Sequence, residues 1–257
     1  GKIQIISLAT FLLLSFFARG NENTPPLSIV ELHQEEEVLL LQHAQILEDV
    51  HAELTWPQAL VSNDWKVIDS PNLKLGMSES AFWFRVQVKY IEAQTRLFQI
   101  RYPLLDFVDF YLLQDGLLIK HVETGDSRPF NTRDVKNKNF VISHYQETNQ
   151  ELTLLIRAKT QGSMIMPLSS VDIEGYAHEV SVENITHGIY FGISIAMILY
   201  NFMLFVYLKD RSYLYYCLFV FILLLSALAY IGQGFYRLWP DHEWLNRYMT
   251  PVMSAGG

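Results

Sequence analysis

The chain has 257 residues, a formal charge of -8 and a hydrophobic share of 50%, values that average two different solvents rather than describe one domain. The acidic balance, with no basic run or stripe anywhere, excludes nucleic-acid binding. The single cysteine, Cys217, lies inside a long apolar run and so excludes a disulfide framework for the rest of the chain.

Residues 1–20 carry Lys2, an apolar stretch and then Ala18-Arg19-Gly20, the shape of a signal peptide with a small-x-small cleavage site. A retained N-terminal anchor is the alternative, although the stretch is short for a spanning helix. Residues 21–44 are polar, with Pro25, Pro26 and the acids Glu35, Glu36 and Glu37, and read as a linker.

Over residues 45–172 the pattern changes to short runs of two-residue alternation bounded by Pro, Gly, Asn and Asp. Phe82, Phe84, Val86 and Val88 alternate with Trp83, Arg85, Gln87 and Lys89, which predicts a strand with one apolar and one wet face. Similar runs occur at 98–102, 108–112 and 154–157, with turns expected at Gln114-Asp115-Gly116 and Thr124-Gly125-Asp126. The fold class is an all-β sandwich outside the membrane, followed by an α-helical membrane bundle. Strand order stays open.

From Gly175 the apolar residues fall at helical intervals, so residues 173–187 form a juxtamembrane helix containing Glu179 and Glu183. Residues 188–208 and 213–236 are then free of Asp, Glu, Lys, Arg and His. A bilayer core of about 30 Å needs roughly 20 apolar helical residues, so each run makes a crossing. Tyrosines at their ends, including Tyr190, Tyr207, Tyr213 and Tyr236, suit the headgroup level. Buried helices of a large soluble protein are the alternative. The loop 209–212 holds Lys209 and Arg211, whereas no Lys or Arg lies between Met164 and the first crossing, so this loop is cytoplasmic and the sandwich is outside. Residues 237–257 read as an outer loop and the start of a third crossing near Trp244. The opening at Gly1 and the stop at Gly257 read as truncations at both ends.

In this order the residues resemble the bacterial seven-transmembrane receptors with diverse intracellular signalling modules. The resemblance to their type-2 extracellular domain is carried by Leu75-Gly76-Met77-Ser78, Phe82-Trp83-Phe84-Arg85, Tyr102-Pro103-Leu104-Leu105-Asp106, Gly125-Asp126 with Arg133, and Leu155-Ile156-Arg157 followed by Pro167-Leu168. The membrane half is similar through Gly188-Ile189-Tyr190-Phe191-Gly192, Tyr200-Asn201, Arg211-Ser212-Tyr213-Leu214-Tyr215-Tyr216 and Gly232-Gln233-Gly234. The resemblance implies a jelly-roll-like, carbohydrate-binding-type sandwich, seven membrane helices and a cytoplasmic output module of the diguanylate cyclase or histidine kinase type.

Arg85, Arg101 and Arg157 sit opposite core-facing residues, and planar guanidinium groups sharing a sheet can hold a carboxylate, phosphate or sugar hydroxyl. Solvated arginines or ion pairs with Asp109 or Asp126 are the alternative. Trp83, with Trp56 and Trp65, is a candidate stacking platform for a sugar ring, set against ordinary packing. Asp126 and Arg133 suggest a loop-stabilising ion pair. Within the first crossing Gly188, Gly192 and Ala196 leave a smooth face for another helix. Asn201 is expected to reach a partner such as Ser226 or Gln233.

The eight histidines form no metal-binding pair, and no phosphate loop or nucleophile elbow occurs. No catalytic residue, metal or cofactor is therefore expected, and His242-Glu243 reads as a loop dipeptide. Sugar hydrolysis would need two facing carboxylates, and sequence does not pair Asp64, Asp106 or Glu79. The expected partners are the lipid bilayer and a small, carbohydrate-like extracellular ligand, with a homodimer left open. A signalling receptor is the leading reading, and a transporter or envelope docking protein is the alternative. A transporter should carry ionisable residues inside its crossings, and neither run has one.

Overall fold

The structure, a computed structural model, describes residues 27–34, 37–68, 73–238 and 240. The signal peptide, the third crossing near Trp244 and His242-Glu243 lie outside the described residues.

Two sheets face each other. The larger runs in the order β4 (Lys66–Val67), β3 (Gln45–Asp49), β6 (Ala81–Tyr90), β11 (Gln150–Lys159), β8 (Phe107–Gln114) and β9 (Leu117–Thr124), with β1 (Ile29–Leu32) paired parallel to β6. The smaller runs β10 (Phe140–Gln146), β7 (Gln94–Ile100), β13 (Leu168–Asp172) and β2 (Val38–Leu39). A separate pair joins β5 (Lys74–Met77) to β12 (Ser163–Ile165). The alternation in β6 has the expected consequence: Phe82, Phe84, Val86 and Val88 pack with Phe110, Leu112, Leu154 and Ile156 against Phe98, Ile100, Phe140 and Ile142 of the other sheet. Each such side chain contributes about 2 kcal/mol on burial, and this layer is the main core.

Residues 21–44, expected as a linker, instead supply β1 and β2. The register explains why. Val30 and Leu32 point into the core and pair alongside Val88 and Tyr90, so a short alternating run is captured by the neighbouring strand.

The hairpin between β8 and β9 turns at Asp115-Gly116, both with positive φ (50° and 75°). That is the two-residue turn whose twist matches its strands.

The pairings place strand ends. Ile100 pairs with Phe140 and Leu168, Lys159 with Phe107, Ala158 with Phe82, and Asp49 with Ala81. The short connections from Tyr90 to Gln94 and from Gln146 to Gln150 bring the two sheets' opposite ends together beside Asp115-Gly116, so all of these lie at one end of the sandwich and that turn at the other.

α2 (Ile173–Leu208) starts directly from β13, where the Asp172 side chain accepts from the Glu174 and Gly175 amides. At about 1.5 Å per residue its 36 residues make a rod of about 54 Å, longer than a bilayer core requires. Its first turns lie on the outer face of the smaller sheet, where Tyr176 packs on Leu97, Val141 and Val171. It then descends parallel to β7, so the end of the sandwich holding Ile100 faces the apolar part of the helix. α3 (Arg211–Tyr230) follows a two-residue turn in which Lys209 takes a left-handed conformation and Asp210 caps the new helix through the Ser212 amide. Both helices are long and apolar enough to cross a membrane. The second ends at Tyr230, and the chain turns at Gly232 into the short α4 (Gln233–Arg237).

Candidate functional site

Trp83, Arg85 and Arg157 come together on the face of the larger sheet that points away from the core. That face is not wet. A segment ahead of β6 folds over it as α1 (Trp56–Val61), with Thr55 and Gln58 forming a reciprocal cap. Its Ala59 packs with Leu47, Trp65, Trp83, Tyr111 and Leu155 into a second cluster. Trp83 is fully buried and stacks on Tyr111 at 5.8 Å. Arg85 lies over the Trp65 ring at 4.4 Å, and its Nε donates to Gln45 Oε1 at 2.8 Å. Burial pushes its pKa down to about 10. Trp65 donates to the Ala59 carbonyl, and Trp56 lies 6.4 Å from Tyr111, so both indoles are packed rather than presented.

Arg157 donates to Asp109 at 3.4 Å and to the Ala52 carbonyl at 3.1 Å. Asp109 also pairs with Arg128, so one nearly buried carboxylate holds two guanidinium groups. Burial first, and the Asp109 charge second, raise the Tyr111 hydroxyl to about 12. Through Ala52, whose φ is +56°, Arg157 also ties down the turn that carries Val50 and His51.

Arg101 is not with them. It follows β7 in the other sheet and bridges Glu37 at 2.6 Å and Glu179 of α2 at 3.3 Å. It belongs to a second assembly, where the sandwich meets the helices. Gln99 donates to Glu179 at 2.9 Å, Lys138 pairs with Glu183 at 3.2 Å, and Arg237 donates to Asn184 at 3.1 Å. Phe130 meets Phe235 edge-on at 5.4 Å and Tyr236 at 5.6 Å. Gly232 closes on Pro103 so tightly that an added Cβ would lie 2.8 Å from the proline Cβ.

Arg133 is the keystone of this region. Its Nη1 donates to the carbonyls of Asn137, Lys138 and Asn139, and its guanidinium sits against the Phe130, Phe140 and Phe235 rings. Burial drives its pKa down to about 10, with the Asp126 charge opposing. The expected ion pair with Asp126 thus acts as a charge influence, while backbone carbonyls take the hydrogen bonds.

At the helix-facing end of the sandwich a cleft of about 810 Å³ opens between the turn at Val50-His51, the end of β5 at Met77, and Phe107 and Lys159. Asp106 forms part of its wall, with its carboxylate accepting from Ser127 Oγ, Thr160 Oγ1 and the Gln161 amide. Lys159 and His51 make no ion pair or side-chain hydrogen bond among the described residues. Sequence patterning did not single out this cleft, because its walls come from five separated segments of the chain. Glu79 and Asp106, which sequence left unpaired, both line it.

In the membrane half, Cys217 of α3 approaches the Ile198 carbonyl at 3.4 Å. Asn201 makes no hydrogen bond to Ser226 or Gln233 among the described residues: its Nδ2 donates back to the Met197 carbonyl at 2.9 Å, within its own helix. Around Gly188 and Gly192 nothing lies within 4 Å of an added Cβ, and Ala196 is exposed, so this stripe is turned away from the contacts among the described residues.

The chain matches a family model described as 7TMR-DISM extracellular 2 over residues 41–172 and one described as 7TM diverse intracellular signalling over residues 183–257. The chain belongs to the 7TMR-DISM family. It is thus a membrane receptor whose sensor domain lies outside the membrane, and such sensor domains are non-enzymatic in themselves. No curated protein matches the chain. Among solved structures, the β domain of this 7TMR-DISM chain is similar to part of a β-glucosidase from Kluyveromyces marxianus in complex with glucose (10% identity, TM-score 0.33, 51% of this chain and 16% of that one). It is also similar to a family 35 carbohydrate binding module from Clostridium thermocellum (7% identity, TM-score 0.28, 52% and 96%) and to TmCBM61 in complex with β-1,4-galactotriose (10% identity, TM-score 0.27, 52% and 90%). At these scores the likeness carries no argument about ligand.

Proposed function

We propose that this chain is the sensory part of a bacterial multi-pass receptor in the cell membrane. Its sandwich takes a small extracellular ligand, for which a carbohydrate-like molecule is one candidate, and relays occupancy through the helices to a cytoplasmic output module of the diguanylate cyclase or histidine kinase type. The supporting observation is the seam at Gln99, Arg101, Lys138, Glu179 and Glu183, where side chains of the sandwich grip an unbroken helix that continues into the membrane. A receptor needs two arrangements of its helices that ligand binds with different affinity, and a seam of partly exposed ion pairs is a contact that can shift between them.

In this division of labour Arg101 belongs to the relay. Arg85, Trp83 and Arg157 form the framework behind the ligand cleft, with Arg157 positioning its Val50-His51 wall. The test uses the intact gene product, with cyclic dinucleotide or phosphohistidine as readout. Glu179→Gln and Lys138→Gln should each shift basal output several-fold. Output unchanged in both, and in the double variant, would sink the relay.

A further inference from the structure

The cleft between Val50, Met77, Phe107 and Lys159 opens at the end of the sandwich that faces the bilayer. Strand register puts it there, because Asp49, Phe107 and Lys159 share the end occupied by Ile100, toward which α2 descends. The helices give its height. Lys138, from the loop at that end, meets Glu183, and Arg237 meets Asn184. Glu183 stands five residues above the start of the apolar run at residue 188, or about 7 Å along the helix. The headgroup zone on each side of a bilayer is roughly 5–8 Å deep, so loops at this end reach the depth of lipid headgroups.

The cleft has the matching chemistry. Met77 and Val50 at its rim are 82% and 63% exposed and give the mouth of the cleft an apolar lip. Inside are hydroxyl groups and the cationic Lys159, which is half-buried and has no carboxylate partner among the described residues. His51 lines the same cleft. Two carboxylates also line the cleft: Asp106, turned to three donors of its own wall, and the exposed Glu79 at the mouth, and neither pairs with the lysine among the described residues. An apolar lip, a hydroxyl-rich interior and a free cation suit an amphiphile that carries a phosphate.

We infer that the cleft takes the phosphate-bearing headgroup of a phospholipid from the outer face of the same membrane, with Lys159 and His51 on the phosphate and Met77 and Val50 against the upper acyl chain. The receptor would then read the composition of its own membrane. This inference rests on the reading of the chain as a receptor with its β domain outside, and it names the ligand class of that domain. The output test of the seam does not depend on which ligand fills the cleft, so the two fail separately.

The experiment uses the full chain in nanodiscs of phosphatidylcholine with phosphatidylglycerol, with Cys217→Ala as background. A fluorophore is placed at Met77→Cys or, as a control at the far end, at Leu117→Cys. Lipids carrying a headgroup nitroxide should quench the label at 77 several-fold more than that at 117. Lys159→Glu should remove the lipid that stays with the chain through native mass spectrometry, while the apolar rim keeps part of the quenching. Equal quenching at 77 and 117 would overturn the placement. Retention of lipid by Lys159→Glu would overturn the site. Displacement of the lipid by soluble glycerol phosphate at equal concentration would make the ligand a free phosphate ester and overturn the membrane source.

Discussion

Two residues hold the helix-facing end of the sandwich in shape. Gly125 has a φ of +150°, and a Cβ there would lie 2.1 Å from the Asp106 carbonyl oxygen, inside any tolerable contact. Asp126 and Ser127 then donate to the carbonyls of Leu105 and Asp106, so the two loops close like a clasp. Gly125→Ala should cost about 3 kcal/mol or more in chemical denaturation, because strain and overlap act together. Arg133→Ala would strip the donor from three carbonyls and leave three aromatic rings without their cation. A loss of about 3 kcal/mol is expected, and Arg133→Lys should recover only part of it, since a single ammonium replaces a planar fork. If either variant melts like the parent, the clasp is not a determinant of the domain.

Tyr111 adds a pH dependence. Its folded pKa is raised to about 12 from the ordinary 10, chiefly by burial. A raised folded value gives stability that is fully present below pH 10 and lost as pH rises toward 12. Alkaline titration followed by phenolate absorbance should therefore show exposed tyrosines ionising first and a late component coinciding with loss of structure. A single early step would contradict it.

At the scale of elements, the alternation at residues 82–89, the turn at Asp115-Gly116 and the helical spacing after Gly175 were all legible, because each follows from local chain geometry. What covers a strand's polar face was not. Trp83 and Arg85 occupy the positions opposite the core that the alternation assigns them, yet α1 lies over them, and nothing in the spacing of β6 announces a lid from about 25 residues upstream. The same limit applied to the arginines. Sequence indicated that they shared one kind of face, but only the strand order shows Arg85 and Arg157 on neighbouring strands and Arg101 in the other sheet. Glu179 and Glu183 were visible as charges on the juxtamembrane helix, but their partners Gln99 and Lys138 are about forty to eighty residues away in sequence. A polar group in lipid requires a partner, which points Asn201 toward another helix, and its own helix takes one of its N–H groups through the Met197 carbonyl. The start of α2 gives a further check. Asp172→Ala removes the acceptor for two orphan amides and should cost about 1 kcal/mol, seen as faster hydrogen exchange at Glu174 and Gly175 without change in the sandwich core.

In the whole molecule the sandwich and the helical hairpin are joined at one seam, with charge on one flank and aromatic packing on the other. α2 leaves the smaller sheet, α3 runs back along it, and the chain then comes back to the sandwich at Gly232, Phe235 and Tyr236. The sandwich thus touches the helical hairpin where it starts and where it ends, so a tilt of one against the other is felt by both long helices. The pair Lys138 and Glu183 is the most buried ion pair of the seam on the lysine side, at 10% side-chain exposure, and is worth about 1 kcal/mol after allowing for the partly exposed glutamate.

The direct measurement is hydrogen exchange on the full chain in nanodiscs, read over residues 176–187 and 230–237, for the parent, Lys138→Glu and the charge-swapped Lys138→Glu/Glu183→Lys. The account predicts that Lys138→Glu loosens both segments together and that the swap restores both. Loosening confined to one segment, or no difference among the three proteins, would contradict a single coupled seam between sensor and membrane.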